Sequence, residues 1–345
     1  MAGRAVPLWN GDDTRILAGL WRDRRVVADP SEAVWEAHAA RSADRRMAST
    51  HARREVAKVA LLTADWTDCL PAERVVRAGL TAEKLRWLQA LRCHQPGGWE
   101  PATRVEGDDA LRHVLAAGRG AILWVPSLAF ASLAGKLSLH RAGFRVSHLS
   151  RWYHGPSDTR LGIRFLNRYQ VAAEAPLLAE RLVVGRSGNA GPVLRTLAAR
   201  LRAGRPVSVT FGHQGLSCLD LPFLTGVKTV ATGPLKLARL TGAPMFTVWT
   251  ERTGEGVYET RVEPLFDPRL DSRGSANGSG DSEAAIVGRV LEGLAERVRR
   301  LPGQVFWRDD VARPRAVVGT DGTAGALSRE DAAPAGRERL PADQL

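Results

Sequence analysis

The residues of this chain best placed to do chemistry are hydroxyls and imidazoles at the ends of buried apolar runs. Residues 121–125 read as a buried strand. Pro126-Ser127 then turns the chain into an apolar helix that ends near Gly135 and carries Ser132 five positions after Ser127. A serine hydroxyl becomes a nucleophile only beside a base, and no histidine or carboxylate lies within this segment. The Gly-x-Ser-x-Gly elbow that would present such a serine is missing as well. Without a base, Ser127 reads as a turn residue and Ser132 as a helix-face hydroxyl. A second buried strand, 207–211, runs into Gly212-His213-Gln214-Gly215. An imidazole at a strand end of an α/β fold can deprotonate a hydroxyl; the same polar turn can also serve only to satisfy loop backbone. His140, His148 and His154 lie on the other βα unit, within reach of the same crevice, with no metal-ligand spacing. Arg164, Arg168 and Arg252 are candidates for anion contacts, against the alternative of a solvated face or surface ion pairs.

The elements that must position these groups alternate from about residue 118 onward. Strands are expected at 120–125, 144–149, 182–184, 207–211, 245–250 and 257–262. Helices are expected at 161–169, 193–203 (bracketed by Pro192 and Gly204), 233–240 and 283–300. Such alternation predicts an α/β fold, a mostly parallel central sheet flanked by helices. Residues 1–115 read as a helical N-terminal region, with helices at 52–64 and 81–91 and a break at Pro96-Gly97-Gly98. The α/β domain is expected over 116–313, interrupted by a disordered Gly/Ser/Asp-rich loop at 271–282, and the tail 314–345 reads as disordered.

Composition narrows the partners. The 345 residues are 44% hydrophobic, enough for a sizeable core, and carry a net charge of +12, mostly from arginine. Arginine favours phosphate or carboxylate partners: anionic lipid headgroups, acidic carrier proteins, phosphopantetheine or nucleic acid. Nucleic acid is set aside, because helix-turn-helix, zinc and aromatic-strand signatures are all missing. With Asp13 as N-cap, Ile16, Leu17, Leu20 and Trp21 recur at helical spacing among Arg15, Arg22, Arg24 and Arg25. This basic amphipathic helix can lie peripherally on an anionic membrane or dock on the chain's own core. Cys69, Cys93 and Cys218 suggest neither a disulfide framework nor a zinc site. The first residues lack a signal-peptide layout, and the longest apolar run is too short to cross ~30 Å of hydrocarbon. A cytoplasmic protein is the expectation, with the basic amphipathic helix offering one route to a peripheral position on the inner face of the plasma membrane.

Several segments carry a resemblance when taken in order. They are the 120–135 frame, Pro222-Phe-Leu-Thr-Gly226, Thr229 with Thr232-Gly233, Leu237-Ala238 and Thr241-Gly242-Ala243. Val248 to Arg252, Gly256-Val-Tyr258, Val262-Glu-Pro264 and Pro302-Gly-Gln304 with Trp307 follow. Together they resemble the lipid A biosynthesis (lauroyl/myristoyl) acyltransferase family of the lysophospholipid acyltransferase-like superfamily, over about 115–313. That resemblance implies a glycerolipid acyltransferase-like fold. It also implies transfer of a fatty acyl group from acyl carrier protein or acyl-CoA to a hydroxyl or amine of a lipid or natural-product acceptor. No resident cofactor is implied, since the acyl carrier is a co-substrate. The family carries a histidine and an acidic residue where Ser127 and Ser132 stand here, and an aspartate where Gly212 stands. Its basic segment after the terminal Trp is Arg308-Asp-Asp310 here, and no stretch of this sequence is expected to match its hydrophobic anchor helix. His213 then becomes the candidate base, with Gln214 and the three arginines as substrate contacts. The alternative is a catalytically inactive relative that binds acyl chains or acyl carrier protein.

Overall fold

A computed structural model describes residues 6–66, 70–185, 190–212, 215, 217–270, 282–305 and 312–314. The 271–281 stretch, the tail beyond Pro314, Cys69, Trp307 and residues 308–310 lie outside the described residues.

The N-terminal layer is helical. It comprises α1 (Gly11–Val26), α2 (Glu32–Met47), α3 (Thr50–Leu62) and α4 (Ala72–Arg92). Asn10, not Asp13, is the N-cap of α1: its side chain accepts from the Asp12 and Asp13 amides, while Asp13 reaches back to the Asn10 amide as the other half of a capping box. Helices α2 and α4 pack against each other around Trp35, Ala39, Leu85, Leu88 and Leu91.

The rest is α/β. Strand β1 (Ala102–Glu106) falls inside the stretch read as helical; its β-branched Thr103 and Val105 pair in register with a later strand. Then follow α5 (Asp109–Ala116), β2 (Ile122–Pro126), α6 (Ala134–Arg141), β3 (Ser147–Arg151), α7 (Arg160–Phe165), α8 (Asn167–Glu174), β4 (Glu180–Val184) and α9 (Gly191–Arg202). Next come β5 (Val207–Phe211), β6 (Cys218–Phe223), β7 (Gly226–Ala231), α10 (Gly233–Thr241), β8 (Met245–Gly254), β9 (Val257–Phe266), α11 (Glu283–Arg300) and β10 (Arg313–Pro314).

The seven-stranded sheet has the order β1-β9-β8-β2-β5-β3-β4. Strands β8, β2, β5, β3 and β4 are parallel, β9 returns antiparallel to β8 through the Gly254-Glu255-Gly256 turn, and β1 runs parallel to β9. The expected parallel core of 121–125, 207–211 and 245–250 is therefore present. The β6–β7 hairpin, joined by β10, forms a separate three-stranded sheet not foreseen from the sequence; the Pro222 to Gly226 step is its tip.

Period-two alternation divides the core. Ile122 and Trp124 of β2 face the cluster containing Val207, Val209, Phe211, Leu197, Leu235 and Val290, while Leu123 faces Leu139, Phe144, Phe246 and Val248. Residues 127–133 are not helical, contrary to expectation. Leu128 forms an antiparallel bridge with Val305, and the Ala129 amide donates to the Gln304 carbonyl (2.7 Å), so this backbone is taken up by the 302–305 turn and the helix starts only at Ala134.

Gly120 opens β2 directly against α9. A β-carbon there would collide with the Leu201 carbonyl and stand 2.6 Å from the Leu201 Cα, both of them backbone atoms unable to yield. Gly120→Ala is therefore expected to lower stability by about 1–3 kcal/mol, read as a lower urea midpoint at unchanged slope. An unshifted midpoint would contradict this packing.

Candidate functional site

The parallel strands end together at one edge of the sheet. Pro126 and Phe211 are register partners at the ends of β2 and β5, and β3 ends nearby at Arg151. Ser127 is the first residue past β2, and its Oγ donates to the Phe211 carbonyl at 3.4 Å. Ser132 lies on the turn before α6, and its buried Oγ has no hydrogen-bond partner among the described residues. Neither hydroxyl meets an imidazole or a carboxylate among the described residues. His213 and Gln214 lie outside the described residues; the Gly212 carbonyl just before them accepts from the Ala231 amide at 2.8 Å.

The candidate arginines are spread over the molecule. Arg164 and Arg168 are exposed on α7 and α8, over the rings of Phe165 and Tyr169 at 5.7 and 5.2 Å. Arg252 is committed inside the protein: its guanidinium pairs with Glu36 (3.0 Å) and Glu32 (3.5 Å) of α2. Gln304 accepts from the Arg252 amide and donates to its carbonyl, which ties β8 to the turn holding residue 129. Arg252 therefore joins the helical layer to the sheet and is not a free anion contact.

A polar cluster that sequence reasoning did not assemble occupies the face of the sheet shared with α6. At its centre is Glu174, the last residue of α8 and fully buried. Its carboxylate accepts from Lys136 Nζ on α6 and from Gln170 Nε2 one turn earlier on α8 (3.0 Å). His154 Nε2, from the loop after β3, lies 2.9 and 3.1 Å from the two carboxylate oxygens. Burial alone would raise the Glu174 carboxyl, but Lys136 and His154 outweigh it and hold the group far below the usual carboxylate range. Because an ionised carboxylate only accepts, Nε2 carries a ring proton, and it is Nδ1 that holds the lone pair in the neutral ring. Nδ1 has no hydrogen-bond partner among the described residues, and the His154 side chain is 24% exposed.

Beneath this array the strands are polar. His148 of β3 is buried, with Nδ1 2.8 Å from Ser208 Oγ of β5, its register partner. On the other side its register partner is Arg181 of β4, which donates to Ser150 Oγ (3.0 Å) and the Arg151 carbonyl (2.9 Å). Thr210, two residues beyond Ser208 on the same face, is exposed although β5 is flanked by β2 and β3. The sheet face is open there, because α6 packs over β1, β8 and β9 instead. Among the described residues the sheet face is thus uncovered at the carboxyl end of β5, the end of the strands where open α/β sheets bind ligands. A cavity of about 160 Å³ near Arg119, Arg202 and Arg269 lies at the opposite edge, where α9 and α10 end and Arg119 is held by Asp267.

No protein-family model matches the chain, and no curated protein matches it. The sequence signal for the cluster was Lys136, a lone charge in the apolar stretch 128–139, together with Gln170 and Glu174 at i, i+4 on one helix. A charge in an apolar run requires a buried counter-charge, but nothing in the sequence says which residue supplies it.

Two outcomes follow. Glu174→Ala strands the Lys136 ammonium and is expected to cost about 3–5 kcal/mol, with Lys136→Met/Glu174→Leu recovering much of the loss in urea melts. A double variant as unstable as the single one would argue against a coupled pair. Burial, followed by the charge of Lys136, holds the His148 imidazole well below its ordinary value of 6.5. The unfolded chain takes up this proton as pH falls below about 6.5 and the folded chain does not, so His148 lowers stability progressively below that pH, at up to ~1.4 kcal/mol per pH unit. The midpoint should therefore fall between pH 7.5 and 5.5, and fall less in His148→Asn; equal falls would refute the assignment.

Proposed function

We propose that this protein is an acyltransferase of the glycerolipid acyltransferase-like type, with His154 in place of the missing motif histidine. The carrying observation is an imidazole fixed by a buried carboxylate, with its second nitrogen unpaired among the described residues, beside an open sheet face at the strand ends. The acyl part of the reading rests on the ordered resemblance from the 120–135 frame to the Pro302-Gly-Gln304 element.

The chemistry needed is a proton transfer coupled to acyl transfer. His154 Nδ1 takes the proton of an acceptor hydroxyl or amine as that atom attacks the thioester carbonyl of acyl carrier protein or acyl-CoA. The tetrahedral intermediate collapses, the C–S bond breaks, and the thiolate leaves with the proton from the imidazolium. Glu174 is a positioning residue that fixes the ring tautomer, and Lys136 and Gln170 keep its carboxylate in place.

A second reading, a binding-only relative, is favoured by the lack of a base beside Ser127 and Ser132 among the described residues. Intact-mass assays with acyl carrier protein and acyl-CoA donors and hydroxyl or amine acceptors separate the two. Transfer is expected in the native protein, reduced about 10²–10⁴-fold in His154→Ala with folding intact and little changed in Ser127→Ala. Loss of transfer in His213→Ala but not in His154→Ala would move the base to His213. Carrier binding without transfer would establish the binding-only reading.

A further inference from the structure

We propose that the outer face of α1 docks on an anionic lipid surface. The helix buries Asp13 and Asp23 on the side where Leu20 and Val26 pack against the core, yet turns two of its large apolar groups outward. Asp13 and Asp23 are each 1% exposed, whereas Leu17 and Trp21 are 52% and 64% exposed. The buried acids explain the orientation. Asp13 accepts from Thr159 Oγ1 at 2.7 Å, and Asp23 is held by Lys84, by His38 (3.1 Å) and by Trp87 Nε1 (3.1 Å). Anchoring those two carboxylates leaves Leu17 and Trp21, one turn apart, to face outward together.

The rim of this face is basic. Arg15, Arg22, Arg24 and Arg25 are exposed, with the Arg25 guanidinium 3.3 Å from the Trp21 ring centroid. Asp12 is the acid of α1 that remains partly exposed, and it is paired with Arg15. Leu8, 58% exposed, precedes the helix, and the Pro7 and Leu8 carbonyls accept from the Arg160 and Leu161 amides at the start of α7. Phe165 (47% exposed) and Arg164 end that helix.

Apolar side chains standing out from a convex helix within a ring of guanidinium groups match an interface of acyl chains beneath anionic headgroups. A second copy of the chain fits poorly, because it would oppose arginine with arginine. Among the described residues no helix is long and apolar enough to cross a membrane, so attachment of this kind is peripheral. The face is also tied to the His154 loop: Asp13 accepts from Thr159, in the same loop as His154. A docked α1 would hold that loop at the surface from which a lipid acceptor comes. Docking itself does not rest on the acyltransferase reading and is measured without turnover.

The test is flotation of the full chain with vesicles of phosphatidylcholine alone and with vesicles containing phosphatidylglycerol at 30 mol%, at low and high salt. The expected result is binding to the anionic vesicles only, weakened by salt and reduced about tenfold or more in Leu17→Ser/Trp21→Ser. Arg22→Glu/Arg25→Glu is expected to abolish it, with circular dichroism unchanged in both variants. No binding to anionic vesicles, or binding unchanged in the Leu17/Trp21 variant, would overturn the proposal. So would loss of acyl carrier protein binding, or of a concentration-dependent dimer, in that variant without any vesicle binding; either would assign the face to a protein partner.

Discussion

A carboxylate with no access to water is the constraint on which the site depends. An ionised Glu174 at the end of α8 is tolerable only if donors converge on it, and each donor comes from a different part of the chain: Lys136 from α6, His154 from the loop after β3, Gln170 from α8 itself. Satisfying that one charge sets the spacing of α6 and α8 above the sheet. It also fixes the orientation of the imidazole and leaves β5 uncovered at Thr210. Packing and chemistry are therefore the same problem here. A hydrophobic replacement of the pair could preserve the fold, but it would release His154.

The same device recurs where the helical layer meets the sheet. Glu32 of α2 is buried and accepts from Trp99 Nε1 (2.8 Å), the Tyr258 hydroxyl (3.0 Å) and the Gly256 amide (3.1 Å), with Arg252 alongside. Tyr258 sits fully buried in the cluster that also holds Trp35, Leu88 and Phe130, and burial beside the Glu32 charge drives its hydroxyl far above the usual range. Asp23 plays the corresponding part between α1 and α4 through Lys84 and Trp87. Three buried acids thus act as joints between layers. At such joints hydrogen bonding adds a directional preference that apolar contact lacks.

The positions where the resembled family keeps its reactive pair are structural in this chain. Ser127 closes the strand end against the Phe211 carbonyl, and Ser132 is enclosed in a turn shaped by Leu128, Val305 and Gln304. The imidazole whose carboxylate partner lies near the strand ends, His154, stands in the loop after β3, two strands across the sheet from β2. In the proposed mechanism, proton transfer belongs to His154, at a different point of the sheet edge from Ser127.

The sequence by itself determined the strands whose residues are mostly apolar. Residues 121–125, 207–211 and 245–250 are legible because both faces of a central parallel strand are largely buried, Thr210 excepted, and the Gly254 to Gly256 turn marks the antiparallel return within the seven-stranded sheet. It also determined the helical character of the N-terminal region and the periodicity of α1, α3 and the second half of α4, but not α2 or the start of α4, and the Asn10 to Asp13 capping box misled by only one half. Tertiary structure alone decided β1, whose few residues become a strand through pairing with β9, and the start of α6, which the 302–305 turn displaces to Ala134. It likewise decided the site. Lys136, His154 and Glu174 are separated by up to 38 residues, and nothing local links a lysine in an apolar run to a glutamate at a distant helix end. What joins them is desolvation: once the core closes, each buried charge must find its complement, and that pairing exists only in the folded chain.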